Sequence, residues 1–240
     1  MRLRLLNLTL VGAIALVAFP VLAESPQTMA MEIRGGWYVP SVDAEFSGDV
    51  KPFDDVFGSD TALMIGGELD AQFWHGFGSL GAFGLVSYGY LGGKGILADG
   101  TSSADESTLS LVPVVAGIVY RFDVLADRYN VPLVLALKGG LNYTLWWVRD
   151  GTEDMSKYDD EDGKEFPGQG GTAGLYGAVA LHLLLDFFEP HTAKVFDNDL
   201  GVNHSYLFVE YAVHWVDDFG SSDSFDLSDD GFVFGLAFEM

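Results

Sequence analysis

The chain has 240 residues, a formal net charge of −23 and no cysteine. This charge argues against nucleic-acid binding, because an acidic surface repels the phosphate backbone. The lack of cysteine excludes disulfide scaffolds, thiolate metal sites and thiol catalysis. Apolar residues make up 49% of the chain and aromatic residues 14%, far more apolar surface than a disordered acidic protein carries. A folded core or a membrane must take up these side chains.

The first 23 residues resemble an export signal. Arg2 and Arg4 form a short basic region, an apolar stretch follows as far as Leu22, and small residues around Ala23 fit a signal-peptidase site. A retained membrane anchor is the weaker alternative, because the stretch is shorter than the ~20 residues of a spanning helix and contains Pro20. We expect cleavage after Ala23 and export from the cytoplasm.

Beyond the signal, apolar residues recur mainly at every second position, in segments separated by Gly, Asp, Ser and Pro clusters. This spacing predicts β-strands with one apolar and one polar face. Eight strands are predicted in chain order: Glu32–Pro40, Thr61–Trp74, Phe77–Tyr90, Thr108–Phe122, Pro132–Val148, Thr172–Asp186, Val202–Asp217 and Phe232–Met240. The second places Leu63, Ile65 and Leu69 on one face and Glu68 and Asp70 on the other. The third is rich in glycine, so its facing stays ambiguous.

Two all-β architectures compete for these strands. A secreted β-sandwich would have shorter strands, of five to six residues on average, and a water-facing row rich in Lys, Thr and Ser. A transmembrane barrel needs ~9–11 residues per strand, an apolar row toward lipid and a polar row toward the interior. The observed strands match the second description. We therefore predict one all-β domain over residues 24–240, an eight-stranded antiparallel up-and-down transmembrane β-barrel.

The connections and the aromatic residues agree with a barrel. Residues 41–60, 91–107, 149–171 and 218–231 form long connections, which alternate with short or intermediate ones at 75–76, 123–131 and 187–201. Long loops outside and short turns in the periplasm are typical of such barrels. Aromatic residues near strand ends are expected to form interfacial girdles: Tyr38, Trp74, Tyr90, Trp146, Trp147 and Trp215.

The last strand, Gly231–Phe238, together with the signal and the amphipathic strands, resembles small bacterial outer-membrane β-barrels of the OmpA, OmpX and OmpW type. The segment Asp197–Tyr206 is similar to a family of outer-membrane barrels of uncharacterised function. The resemblance implies location in the bacterial outer membrane, contact with its lipids and lipopolysaccharide, and recognition by the barrel-assembly machinery. That machinery usually reads a terminal aromatic residue. Here Phe238 precedes Glu239 and Met240, so Phe238 is expected to be the assembly signal.

Charged residues on the inward rows are expected to form an interior polar network. Arg34, Arg121 and Lys138 supply its positive charge and are expected to pair with the inward acids, which are Glu68, Asp70, Glu210 and Glu239. The full set is Arg34, Glu68, Asp70, Arg121, Lys138, His182, Glu210, His214 and Glu239. An eight-stranded barrel is just wide enough to be filled by side chains, and unpaired buried charges would cost several kcal/mol each. A filled barrel predicts a structural, adhesive or small-solute role. The alternative is a narrow channel for small apolar molecules.

Catalytic chemistry finds little support in the sequence. His204 and Ser205 are adjacent in a strand and point to opposite faces, so they cannot form a nucleophile–base pair. Glu210 and His214 share a face but lie about 13 Å apart along the strand. We therefore expect neither an enzyme nor a cofactor. A lipid-modifying enzyme whose site combines neighbouring strands remains the alternative.

Acidic residues crowd the third and fourth long loops. They are Asp150, Glu153, Asp154, Asp159, Asp160, Glu161 and Asp162, then Asp217, Asp218, Asp223, Asp226, Asp229 and Asp230. Carboxylates bind hard cations, so Ca²⁺ could bridge the loops to one another or to lipopolysaccharide. A solvated acidic surface is favoured because no loop shows ordered ligand spacing. On the connection at 187–201, Glu189 and Pro190 predict a helical turn through Phe196.

Overall fold

The computed structural model describes residues 28–45, 51–58, 61–94, 101, 106–152, 154–159, 165–221 and 224–240. The signal predicted for residues 1–23 lies outside these ranges, so the signal and the domain start at residue 24 stay predictions. Within the described ranges, no helix is long and apolar enough to cross a membrane.

The described residues form ten strands. They are β1 (Met29–Tyr38), β2 (Ala62–Gly76), β3 (Gly78–Gly93), β4 (Ser107–Phe122), β5 (Leu133–Arg149), β6 (Lys157–Asp159), β7 (Glu165–Pro167), β8 (Gln169–Leu184), β9 (His204–Trp215) and β10 (Asp229–Glu239). Eight of them close into an antiparallel barrel in the order β1-β10-β9-β8-β5-β4-β3-β2, while β6 and β7 form a separate hairpin. Closure pairs the first strand with the last, so backbone groups bond between strands as a membrane requires. The predicted eight-stranded barrel is confirmed.

The two faces of the barrel wall follow the period of two. In β2, Leu63, Ile65 and Leu69 are exposed outside, whereas Glu68 and Asp70 are buried inside. Leu, Ile, Val and Phe residues dominate the outward rows of the other strands as well. A water-soluble protein would not leave such a continuous surface uncovered. The outward face is therefore the lipid-facing one.

The height of the apolar surface fits a bilayer. In β5, Leu135 and Leu145 both face outward and are ten residues apart. At about 3.3 Å per residue and a tilt of about 45°, they are separated by ~23 Å along the membrane normal. Outer-membrane barrels carry an apolar band about 25 Å tall.

The facing of β3, which the glycines leave ambiguous, is settled by the structure. Phe83 and Leu85 point inward, and Val86 and Tyr88 point outward.

The predicted interfacial position is wrong for two residues of the aromatic girdle. Tyr38 is buried in the barrel, where its hydroxyl donates to the carbonyl of Leu227 at 2.5 Å. Trp146 packs against Phe225 over the interior, with ring centroids 4.6 Å apart. Trp74, Tyr90 and Trp215 are exposed outside as predicted. Strand parity decides the facing, because positions 38 and 146 belong to inward rows.

Helices lie in the connections: α1 (Pro52–Phe57), α2 (Val124–Tyr129), α3 (Pro190–Leu200) and a 3-10 turn (Val42–Glu45). The predicted helical turn after Glu189 is present and extends to Leu200, where Gly201 ends it with a left-handed φ of 69°. Helices α1 and α2 and the β6–β7 hairpin were not predicted, since each is too short to show a clear periodicity.

The first long loop closes the barrel mouth with α1. Phe53 and Phe57 are buried in an apolar cluster with Leu111 and other inward residues of the mouth. Asp43 holds the helix in place, because its carboxylate accepts the Phe53 and Asp54 N–H groups at 2.8 and 2.9 Å. The mouth at the long-loop end is therefore filled with apolar side chains.

Candidate functional site in the barrel interior

Lys138 lies at the centre of a buried ionic layer. Its side chain, from the inward row of β5, has no solvent exposure. Its Nζ lies 2.8 Å from a carboxylate oxygen of Glu32, 2.5 Å from one of Glu68 and 3.1 Å from one of Glu210. Three strands thus bring three carboxylates to one ammonium group, a geometry that compensates its charge outside water.

Arg34 joins the same carboxylates on a second side. Its guanidinium contacts Glu68 at 2.5 Å and forms an ion pair with Glu210. The Tyr176 hydroxyl also donates to Glu210, at 2.6 Å. Hydrogen bonds to an ionised acceptor are among the stronger ones, so Glu210 is firmly fixed.

Arg121 forms the side of the layer closest to the short turns. It contacts Asp70 at 2.5 Å and Glu32 at 3.1 Å. The His182 Nε2 lies 3.2 Å from Glu32, and the His182 side chain is fully buried. Glu32 therefore meets Lys138, Arg121 and His182 at once.

Glu32 was not among the predicted site residues, although it shares an inward row with Arg34 at a spacing of two. That parity is the signal that could have found it. Its role as the hub cannot be read from one strand, because its partners come from β4, β5 and β8.

Aromatic rings pack around the layer. The Lys138 Nζ lies 5.9 Å from the Phe83 ring centroid and 6.0 Å from that of Phe208. Phe208 also stacks on His182, with centroids 5.1 Å apart. Gly235 makes room for Phe208, since a Cβ at this position would come within 2.7 Å of the ring. The layer is thus enclosed by rings as well as by ion pairs.

Two predicted members of the network lie outside this layer. Glu239 accepts hydrogen bonds from Gln72 at 2.9 Å and from Tyr206 at 2.8 Å, whereas we expected a cation as its partner. His214 lies next to Asn142, with 3.0 Å between Nδ1 and the amide nitrogen. Of the nine predicted residues, seven belong to the ionic layer, and Glu239 and His214 extend the polar interior toward opposite ends of the barrel.

The carboxylates of the layer are already paired with cationic side chains, which disfavours metal binding. Carboxylate oxygens of Glu32, Glu68 and Asp70 lie within 4.8 Å of one another, which a cation could bridge. However, Lys138 and Arg121 already occupy these carboxylates. A divalent ion would have to displace fixed positive charges. Across the described ranges, the loop acids assemble no comparable group of three; residues 153, 160–162 and 223 lie outside those ranges.

A cavity of about 40 Å³ lies between the ionic layer and the apolar mouth. Its lining includes Arg34, Ser87, Pro113, His214 and Asp229. This volume holds about one or two waters. The cavity is therefore too small, as it stands, for an organic ligand.

The hydrogen-bond ladder between β3 and β4 has a gap beside this cavity, although both strands are continuous. The register between β3 and β4 is the same at Val86↔Val114 and at Gly89↔Leu111, but the two pairs between them are missing. Pro113 falls in the interruption and has no N–H to donate to the ladder. The cavity thus lies beside the gap in this ladder.

The histidine–serine pair considered in the sequence analysis is not a catalytic pair. His204 Nδ1 lies 2.7 Å from Asp186, and Ser205 gives its backbone N–H to the other oxygen of the same carboxylate at 3.2 Å. Asp186 thus fixes the start of β9, which is a structural use of these groups.

In the third long loop, Asp150 organises a turn. Its carboxylate accepts the Thr152 hydroxyl at 2.7 Å, the Thr152 N–H at 3.0 Å and the Asp154 N–H at 3.2 Å. These donors, the Thr152 hydroxyl foremost, lower the pKa of Asp150 below its ordinary value.

Comparisons with solved structures give distant likenesses. No protein-family model and no curated protein matches the chain. It is similar to the crystal structure of the outer-membrane protein OprG from Pseudomonas aeruginosa, with a TM-score of 0.48, 13% identity and coverage of 89% of this chain and 97% of that one. It is also similar to Ail, the attachment invasion locus protein of Yersinia pestis, solved with the heparin analogue sucrose octasulfate; the TM-score is 0.43, the identity 11%, and the coverage again 89% and 97%.

The assignment rests on the chain's own geometry. A closed antiparallel barrel, an apolar exterior of bilayer height and a polar interior are together the properties of an outer-membrane barrel. The resemblance to small bacterial outer-membrane barrels and the predicted location are thereby confirmed. This chain has the architecture of a small outer-membrane β-barrel protein.

Proposed function

We propose that the protein is a closed, non-enzymatic barrel with a structural or adhesive role in the outer membrane. The observation that carries the proposal is the ionic layer centred on Lys138, which fills the barrel cross-section with ion pairs and leaves that side chain without solvent exposure. A water-filled pore would hydrate these charges instead.

A second seal supports the same proposal. The apolar cluster around Phe53 and Phe57 fills the mouth above the ionic layer. A hydrated solute would have to pass an apolar plug and then a layer of paired charges. Both seals must open for conduction, so the resting protein is expected not to conduct.

In a closed barrel, the function is then expected in the long external loops. The four long connections, residues 39–61, 94–106, 150–168 and 216–228, hold 21 Asp and Glu but only four Lys. Such loops favour cation-bridged contact with lipopolysaccharide or binding to a basic partner. They disfavour sulfated sugars of the kind bound to Ail, because like charges repel. Lipids on the outward rows and the assembly machinery at Phe238 complete the proposed partners.

Conductance in a planar bilayer tests this proposal. We expect no steady conductance steps from the purified barrel. A shift in gel mobility on boiling would show in the same sample that the inserted protein is folded. Stable open steps from folded protein would contradict the closed-barrel proposal.

A small-solute role is the second candidate, and the interruption at Pro113 is the observation that favours it. An opening of the wall there would join the cavity to the lipid, a route suited to small apolar molecules. Pro113→Thr restores an N–H and should strengthen the ladder. Pro132→Thr, just before β5, is the matched control.

Indole uptake into vesicles with a lipopolysaccharide outer leaflet is the measurement for this second role. The role predicts faster uptake with the native barrel, reduced uptake with the Pro113 variant and unchanged uptake with the Pro132 variant. Equal uptake by empty vesicles and by all three proteins would rule it out.

A further inference from the structure

Apolar side chains continue past the end of β8 at the short-turn end of the barrel. The outward row of β8 contains Leu181 and Leu183, and the turn that follows the strand contains Phe187. Phe187 and its neighbour Phe188 are 56% and 62% exposed. Two adjacent phenylalanines left open to water would be unfavourable, so this surface calls for an apolar environment.

Helix α3 presents a second apolar surface at the same end. Phe196 and Leu200 are four residues apart, so they lie on the same side of the helix, and they are 37% and 67% exposed. His191 is also exposed and lies about 180° around the helix from Leu200. The helix thus has an apolar side and a polar side.

The backbone holds α3 at the barrel rim. The Val202 N–H donates to the Phe196 carbonyl at 3.3 Å, and the Asn203 N–H donates to the Glu239 carbonyl at 2.7 Å. The chain then enters β9 at His204. Because the bond from Asn203 to Glu239 ties the end of the helix to β10, α3 stays at the rim of the barrel.

We propose that α3 and Phe187–Phe188 lie in the headgroup region of the inner leaflet and bind phospholipid directly. Leu183 pairs with Leu207 on the outward face, and Phe187 lies four residues later, in the turn that directly follows the strand. Continuity with the lipid-facing row thus points to lipid as the occupant. Phe77, in the short turn between β2 and β3 across the barrel, is also exposed at this end. This inference depends on the membrane location and not on whether the barrel conducts.

Single-cysteine labelling tests the proposal, since the chain contains no native cysteine. Leu200→Cys, Phe188→Cys and the control His191→Cys carry a spin label in vesicles of phosphatidylethanolamine and phosphatidylglycerol. We expect labels at 200 and 188 to be several-fold more accessible to oxygen, relative to a water-soluble nickel complex, than the label at 191. Equal, water-like accessibility at all three would overturn the proposal and favour a periplasmic protein as the partner.

A second measurement covers variants in which the label disturbs the helix. A water-soluble maleimide is applied to the unlabelled folded variants, with gel mobility as the check of folding. The proposal requires slower reaction at 188 and 200 than at 191 in vesicles. It also requires that the difference shrink in short-chain detergent. Equal rates in vesicles would overturn it.

Discussion

Replacing Lys138 with methionine removes the central cation of the ionic layer while keeping an unbranched side chain of similar length. Glu32, Glu68 and Glu210 would each lose a partner that now lies 2.5 to 3.1 Å away. Carboxylates in this interior cannot exchange that partner for bulk water. The variant therefore isolates the contribution of one buried charge.

The expected loss of unfolding free energy depends on the ion pairs that Arg34 and Arg121 still form. Breaking a buried pair by removing one partner costs about 3–5 kcal/mol. Here Arg34 still contacts Glu68 and Glu210, and Arg121 still contacts Glu32. No carboxylate is left without a cation, so we expect a loss near the lower end, about 3 kcal/mol.

Urea unfolding in lipid vesicles, followed by gel mobility and tryptophan fluorescence, measures this loss. The matched control is Lys157→Met, because Lys157 forms an ion pair of 3.1 Å with Glu165 in which both side chains are about two-thirds exposed. An exposed pair contributes no more than about 1 kcal/mol. Adding Glu32→Gln to Lys138→Met should recover part of the loss, with a coupling of about 1 kcal/mol or more.

Two results would refute the reasoning. If Lys138→Met costs no more than Lys157→Met, the ammonium group is hydrated and the layer is not a plug. If the losses of Lys138→Met and Glu32→Gln simply add, the two residues are not partners. Either result would favour a conducting lumen over a closed barrel.

Three further predictions concern facing, loop titration and location. Leu137→Arg, on the lipid row, should destabilise the barrel by about 2–4 kcal/mol in the same unfolding assay, whereas Lys138→Arg should be mild. Equal losses at the two positions would contradict the assigned facing. Thr152→Val should raise the pKa of Asp150 toward its ordinary value in an NMR titration, because the carboxylate loses the Thr152 hydroxyl as a donor. The turn would then form only at higher pH, where Asp150 is ionised. An unchanged pKa of Asp150 would contradict the hydrogen bond. The protein should fractionate with the outer membrane and change gel mobility on boiling, and recovery as a soluble periplasmic protein would contradict the barrel.

The wall of the barrel could be predicted from the sequence because facing depends only on alternation within one strand. Leu63 and Glu68 differ by an odd number of positions, and they lie on opposite faces. The error at Tyr38 came from the residue type, because an aromatic side chain near a strand end suggests a girdle. Tyr38 is four positions from Arg34, so both side chains lie on the inward face of β1.

The partners within the barrel could not be predicted in the same way. Lys138 and Glu32 are 106 positions apart, and no local pattern connects them. Their meeting depends on how far each strand is staggered around the barrel, which becomes fixed only when β1 pairs with β10. The packing of Phe53 into the mouth is equally non-local, because α1 has only six residues and no repeating pattern.

The ionic layer opposes shifts in the register of the strands. Well-packed apolar residues in place of a buried ion-pair network often give equal or greater stability, so stability alone does not explain these charges. A slip of one residue would move Lys138 to the lipid face and Leu137 to the interior, because the side-chain period is two. A lysine at the bilayer midplane costs about 2–4 kcal/mol. The same slip in β1 would bring Glu32 and Arg34 into lipid, and their ion pairs would be lost with it. Each strand that contributes to the layer thus carries its own penalty against misregistration, which an all-apolar interior could not provide.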